Sequence, residues 1–238
     1  MTVESLSNII IQLLRQGKYD LVDSFSRKAI SSLKDYVCSL SHDEVWRIID
    51  NVTGGLGYTL NDKDISRLII YGSYISWVEV IRQGYKILEI GTGLGRTCYT
   101  VLSTVMPSLY LTIDSSREIL AIALHKNPYP PFQEALSNPC VKICLCDAVK
   151  AVDMIKDVFD HIIHDGGPNP NKNPELYSND FLEKLANLLK SDGTLSIFGS
   201  KNRSWQNRLY HKLKDLGFHV KTEPLPYSPV VVFHCIKS

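Results

Sequence analysis

Lys86-Ile87-Leu88-Glu89-Ile90-Gly91-Thr92-Gly93-Leu94-Gly95-Arg96-Thr97 is the stretch on which the fold turns. Ile87, Leu88 and Ile90 form an apolar run that predicts a buried strand, and three glycines at alternate positions end it. Tyr99, Val101, Leu102 and Val105 then recur at helical spacing. Strand, glycine turn, helix is the first unit of a nucleotide-binding α/β sheet. Glycines let the backbone turn tightly against a ligand, and the helix N-terminus presents unpaired N–H groups. The Gly-x-Gly-x-Gly spacing differs from the dinucleotide fingerprint, and no Lys-Ser/Thr follows as in a phosphate loop. Glu89, two residues before Gly91, would repel a pyrophosphate and suits a ligand that carries an ammonium group.

The chain beyond this unit continues the alternation. Leu109 to Asp114 predicts a second strand ending in an acid that can accept both hydroxyls of a ribose. Asp114 could instead cap the helix Ser116–Leu124, unless Ser115 or Ser116 does so. Val141 to Cys146 predicts a third strand, with Asp147-Ala148 at its end, either over a bound base or capping the helix of Val149, Val152 and Ile155. Phe159 to Asp165 predicts a fourth strand beside the first, which delivers Asp165 to the crevice where the strand order reverses. The polar loop Gly166–Pro174 has the length and composition of a substrate-shaping loop. A helix over Glu175–Lys190, a turn at Ser191-Asp192-Gly193 and a fifth strand Thr194–Phe198 follow. After a helix ended by Gly217, Phe218–Leu225 and Val230–Ile236 predict an antiparallel pair that closes the sheet.

Three regions result: an N-terminal helical extension over 1–50, a connecting loop and helix over 51–84, and the α/β domain over 85–238. In the extension, Ile9, Ile10, Leu13 and Leu14 begin the first of three short amphipathic helices, and Ser41-His42-Asp43-Glu44 has the form of a capping box. Helices this short need a surface to pack on: the main domain, or a second copy in a homodimer. Asn51–Gly57 reads as a flexible loop and Leu68–Val80 as an aromatic helix leading into the first strand. A net charge of +1 gives no global basic field for nucleic acid, although a local patch would suffice; Lys201, Arg203 and Arg208 form a modest cluster. No apolar run reaches membrane-spanning length and no basic-then-apolar leader opens the chain, so a soluble cytoplasmic protein is expected. Of the six cysteines, Cys140, Cys144 and Cys146 cluster in a strand-like run without a fourth ligand, so buried thiols are expected and no metal.

Residues 85–238 resemble the class I S-adenosyl-L-methionine (SAM)-dependent methyltransferases, and within them predicted archaeal methyltransferases related to the spermidine synthase-like superfamily. The resemblance is carried by Leu88 to Gly95, Lys126-Asn127-Pro128, Phe159 to Asp165 and Glu175 to Phe181. It departs after the fourth strand, where the family's Asp-Pro-Pro is replaced by Asp165-Gly166-Gly167-Pro168. It implies a Rossmann-like, mostly parallel seven-stranded sheet. It also implies SAM as cofactor, contacted by Glu89, Gly91, Thr92, Gly93, Gly95, Asp114, Ser115, Asp147, Ala148 and Asp165. Asp165 or His164 would take the acceptor's proton or orient it, and Asp165 is favoured because His164 alternates with it along the strand. The acceptor stays open among RNA, protein and small molecules. One alternative is aminopropyl transfer from decarboxylated SAM, although Leu94 stands where aminopropyltransferases carry an Asp. Another is a catalytically silent SAM-fold subunit that binds a partner through residues 1–50; Glu89, Asp114, Asp147 and Asp165 argue against it.

Overall fold

The structure, a computed structural model, describes residues 3–53, 65–167 and 169–237. Seven strands form one sheet: β1 (Lys86–Ile90), β2 (Leu109–Asp114), β3 (Val141–Leu145), β4 (Phe159–His164), β5 (Leu189–Phe198), β6 (Phe218–Pro224) and β7 (Val231–Lys237). Their order is β3-β2-β1-β4-β5-β7-β6, with β1 to β5 parallel and β7 antiparallel to both neighbours. Leu88 therefore sits level with Leu111 on one side and Ile162 on the other. The chain runs outward from β1 to β3 and then returns to β4, so the order reverses between β1 and β4. A crevice at the carboxyl ends of these strands follows from that reversal.

Both faces of the sheet are covered, which is why its strands read as continuous apolar runs. Ile87, Tyr110, Ile143 and Ile163 pack under α5 (Ile65–Ser76), α6 (Arg96–Leu102), α7 (Arg117–His125) and α8 (Pro130–Leu136). Leu88, Leu111, Ile162 and Leu195 face α9 (Ala148–Val152), α10 (Asn179–Asn187) and α11 (Arg203–Asp215). Each such fully buried aliphatic contributes about 1.5–3 kcal/mol. Asn127 to Pro131 ends α7, as the prolines require, and also starts α8. Pro130 and Pro131 occupy its first positions, where a missing N–H costs nothing.

Two expected boundaries shift. Glu175 belongs to a single 3₁₀ turn, Pro174–Tyr177, and α10 starts only after Ser178, whose Oγ accepts from Phe181 N at 3.1 Å. The expected turn at Ser191-Asp192-Gly193 lies inside β5. Leu189 pairs with Phe159 and Thr194 with His161, so the intervening residues form a bulge, with Asp192 at φ 60°.

Among the described residues the N-terminal extension forms four helices, one more than expected: α1 (Val3–Arg15), α2 (Tyr19–Ser31), α3 (Lys34–Ser39) and α4 (His42–Thr53). The capping box forms, with Ser41 N donating to Glu44 Oε2 at 2.7 Å and Glu44 N donating to Ser41 Oγ at 3.3 Å. The apolar stripe of Ile10, Leu14 and Val22 is buried against the chain's own sheet. Along the β3 edge, α2 supplies acceptors that a further strand would have supplied. Asp23 Oδ1 accepts from Ile143 N at 2.8 Å and Ser26 Oγ from Leu145 N at 3.0 Å. Asn51 to Thr53, expected in a loop, complete α4, and Gly54 to Gly57 lie outside the described residues.

Candidate functional site

A cavity of about 210 Å³ opens at the carboxyl ends of the parallel strands. Asp114 stands at the end of β2, half-buried, with Oδ2 accepting from Gly93 N at 3.1 Å and Oδ1 from Ser116 N at 2.8 Å. Ser116 takes the capping role, its Oγ accepting from Ile119 N at 3.3 Å. Asp114 is thereby held against the glycine turn with its carboxylate on the cavity wall. Burial raises its pKa, and the backbone N–H groups oppose that rise. Asp147 takes the capping role, its Oδ1 accepting from Val149 N at 2.8 Å to start α9, and it also lines the cavity beside Ala148. Gly91, Thr92, Gly93 and Ser115 complete the part of the wall that the sequence assigns.

Gly91, at φ 91°, turns β1 directly against the end of β4. A Cβ there would lie 2.6 Å from the Cα of Gly166. Backbone meets backbone at this point, which gives a physical reason for Gly166 after Asp165: a Cβ on Gly166 would in turn sit 2.9 Å from Ile90 Cγ2. Tyr177 Oη donates to Gly166 O at 3.1 Å and holds the following loop in place.

Three assigned residues lie away from the cavity. Glu89 shares its side of β1 with Ile87, so it points under α6, fully buried, and does not line the wall. Its carboxylate accepts from Thr97 Oγ1, and from Thr112 Oγ1 at 2.6 Å; Thr112 in turn bonds Thr92 Oγ1 at 2.7 Å. Burial pushes the Glu89 pKa up to about 8 against the hydroxyl hydrogen bonds, and the charge of Asp165 adds to the rise. Glu89 thus ties the glycine turn to β2 and α6 and does not meet a ligand's ammonium directly. Gly95 precedes α6 and abuts Leu136, where a Cβ would meet Cγ at 2.8 Å; it supports the turn from behind. His164 points into the other layer, stacked on Tyr177 at 4.8 Å, with Nε2 bonded to Leu176 O at 2.8 Å. Burial lowers its pKa to about 4, so it is a neutral packing residue and not a group of the crevice.

Asp165 does reach the cavity, and it brings a partner that the sequence did not announce. Arg96 Nη2 meets Asp165 Oδ2 at 3.0 Å, with only 5% and 16% of the two side chains exposed. Burial raises the Asp165 pKa and Arg96 lowers it. Arg96 opens α6 immediately after Gly95, and that position is the one signal that could have marked it. Thr53 from α4, Glu175 from the 3₁₀ turn and Phe198 from β5 were also missed, because each reaches the wall through tertiary folding, whereas Asn173 belongs to the Gly166–Pro174 loop that the sequence marks as substrate-shaping. Among the described residues no group of three or more His, Cys, Asp or Glu is placed to hold a metal ion, and no helix is long and apolar enough to cross a membrane. Cys144 and Cys146 are buried free thiols.

Residues 124–226 match a protein family described as S-adenosyl-L-methionine-dependent methyltransferase. An uncharacterized protein of Methanocaldococcus jannaschii is 30% identical over 146 residues, which are 58% of this chain and 48% of that protein. The chain thus spans about half the length of that curated relative. Two solved structures share the fold. A spermidine synthase in complex with the transition-state analogue AdoDATO aligns with a TM-score of 0.61, 19% identity, and 71% of this chain against 61% of that one. Spermidine synthase from Thermotoga maritima aligns with a TM-score of 0.58, 19% identity, and coverage of 71% and 60%.

Proposed function

We propose that the chain binds SAM and transfers the methyl group to a nucleophilic acceptor, a reading supported by the match of residues 124–226 to a SAM-dependent methyltransferase family and by the fold shared with two spermidine synthases. The observation that carries this reading is Asp114. It is a carboxylate at the end of β2, fixed by Gly93 N and Ser116 N on a cavity wall at the point where the strand order reverses. Such a group accepts the two hydroxyls of a ribose, and Asp147, which follows β3, would accept from a base amine. Bound SAM would supply a methyl group already activated on a sulfonium. The protein then has to align a nucleophile and exclude water. Asp165 is the residue we assign to the acceptor, whose N–H or O–H it would orient or deprotonate.

A second reading is aminopropyl transfer from decarboxylated SAM. The two spermidine synthase structures favour it, as does a wall carrying Asp114, Asp147, Asp165 and Glu175, which suits a polyamine acceptor. Product analysis separates the readings. The protein is incubated with SAM, decarboxylated SAM and a cell extract, and nucleoside products are followed by mass spectrometry. Methyl transfer releases S-adenosylhomocysteine, whereas dominant release of methylthioadenosine would support the second reading. In the same assay, run with SAM saturating, Asp165→Asn should lower kcat by about 10²-fold.

A further inference from the structure

We infer that Arg96 is the residue by which this site selects a ligand tail bearing a carboxylate, so that SAM is held in preference to decarboxylated SAM. This rests on the reading of the cavity as a sulfonium-nucleoside site. The strand order sets the geometry. Asp114 ends β2 and Asp147 caps α9 just beyond β3, and the sheet continues through β1 to β4. A nucleoside anchored on those two acids extends its tail across Gly91 toward Arg96 and Asp165, which line that part of the wall.

The tail is a full α-amino acid in SAM and a bare propylammonium in the decarboxylated form. Arg96 and Asp165 present opposite charges 3.0 Å apart, both largely withdrawn from solvent. A zwitterion complements such a pair, its carboxylate facing the guanidinium and its ammonium facing Asp165. A propylammonium finds Asp165 but meets a like charge at Arg96. Scarce solvent makes this discrimination larger than it would be on the surface. Among the described residues of the cavity wall, Arg96 carries the one positive charge, set against Asp114, Asp147, Asp165 and Glu175. A wall built only to attract a polycation would gain nothing from it. Arginine also suits the task, because its guanidinium stays charged and meets a carboxylate in a planar, two-toothed geometry.

A structural role, in which Arg96 only neutralises Asp165, makes a different prediction. Calorimetry with SAM, decarboxylated SAM and 5′-methylthioadenosine is run on the wild type, Arg96→Lys, Arg96→Gln and the double variant Arg96→Gln/Asp165→Asn. The double variant leaves no lone charge behind and guards against a single variant that fails to fold. The wild type should prefer SAM over its decarboxylated form by about tenfold or more. That preference should shrink toward parity in Arg96→Gln and in the double variant, persist in part in Arg96→Lys, and leave methylthioadenosine affinity nearly constant. A wild type that prefers decarboxylated SAM, or a preference undiminished in the double variant, would overturn the inference. Methylthioadenosine that binds normally alongside an unchanged ratio removes only the role of Arg96. A wild type that binds none of the three nucleosides removes the parent reading and this one with it.

Discussion

Glu89 and His164 were both expected at the cavity, and both point away from it for the same reason. Along a strand, side chains alternate between faces, so Glu89 goes with Ile87 and His164 with Ile162. That alternation is legible in the sequence for both residues, since Glu89 is two positions from Ile87 and His164 two from Ile162. Asp165, the next residue after His164, falls on the other side and reaches the wall. The buried Glu89 has a measurable consequence. Its pKa of about 8 in the folded state lies above the ordinary value of about 4.3 expected in the unfolded chain. Between those values the folded protein keeps a proton that the unfolded chain has released. The stabilisation is therefore complete below about pH 4.3 and is lost as pH rises through 8. Glu89→Gln mimics the protonated group. From pH 5 to 8 the wild-type melting temperature should fall by several degrees relative to that of the variant, and the difference should level off above pH 8. Parallel melting curves across that range would rule out a protonated Glu89.

Elements of regular structure were legible where their partners are near in sequence. The glycine turn, the Ser41–Glu44 cap and the closing hairpin follow from local chemistry, and each forms. What stayed hidden depends on distant partners. Asp23 and Ser26 lie on the buried side of α2, where polar residues look out of place until β3, some 120 residues away, supplies Ile143 N and Leu145 N. The bulge in β5 likewise depends on the register against Phe159 and His161, which no local pattern encodes. The α2 contacts make the extension a cover for the sheet edge. Replacing both Asp23 and Ser26 by Ala leaves two strand N–H groups without these acceptors, at about 1–3 kcal/mol each where water cannot reach them. The urea midpoint of the double variant should drop accordingly, and light scattering should detect association through the uncovered edge. An unchanged midpoint would mean that α2 merely lies alongside β3.

At the scale of the whole molecule, the sequence conveyed the sheet because parallel strands buried on both faces announce themselves as apolar runs. It conveyed the end of the sheet where the crevice opens because the order reversal follows from the alternation of strands and helices. It did not convey how the crevice is closed. Thr53 arrives from the extension, Arg96 from the first turn of α6, and Phe198 from β5. All three depend on how layers pack. The N-terminal helices are thus part of the wall as well as a brace for the edge.

If this wall holds an adenosyl nucleoside through Asp114, titration calorimetry with S-adenosylhomocysteine will read it out. The wild type should bind, and Asp114→Ala, shown to be folded by its circular dichroism, should bind at least about tenfold more weakly, since each hydrogen bond to the charged group is worth about 1.5–3 kcal/mol. No binding by the wild type, or equal affinity in the folded variant, would contradict the account.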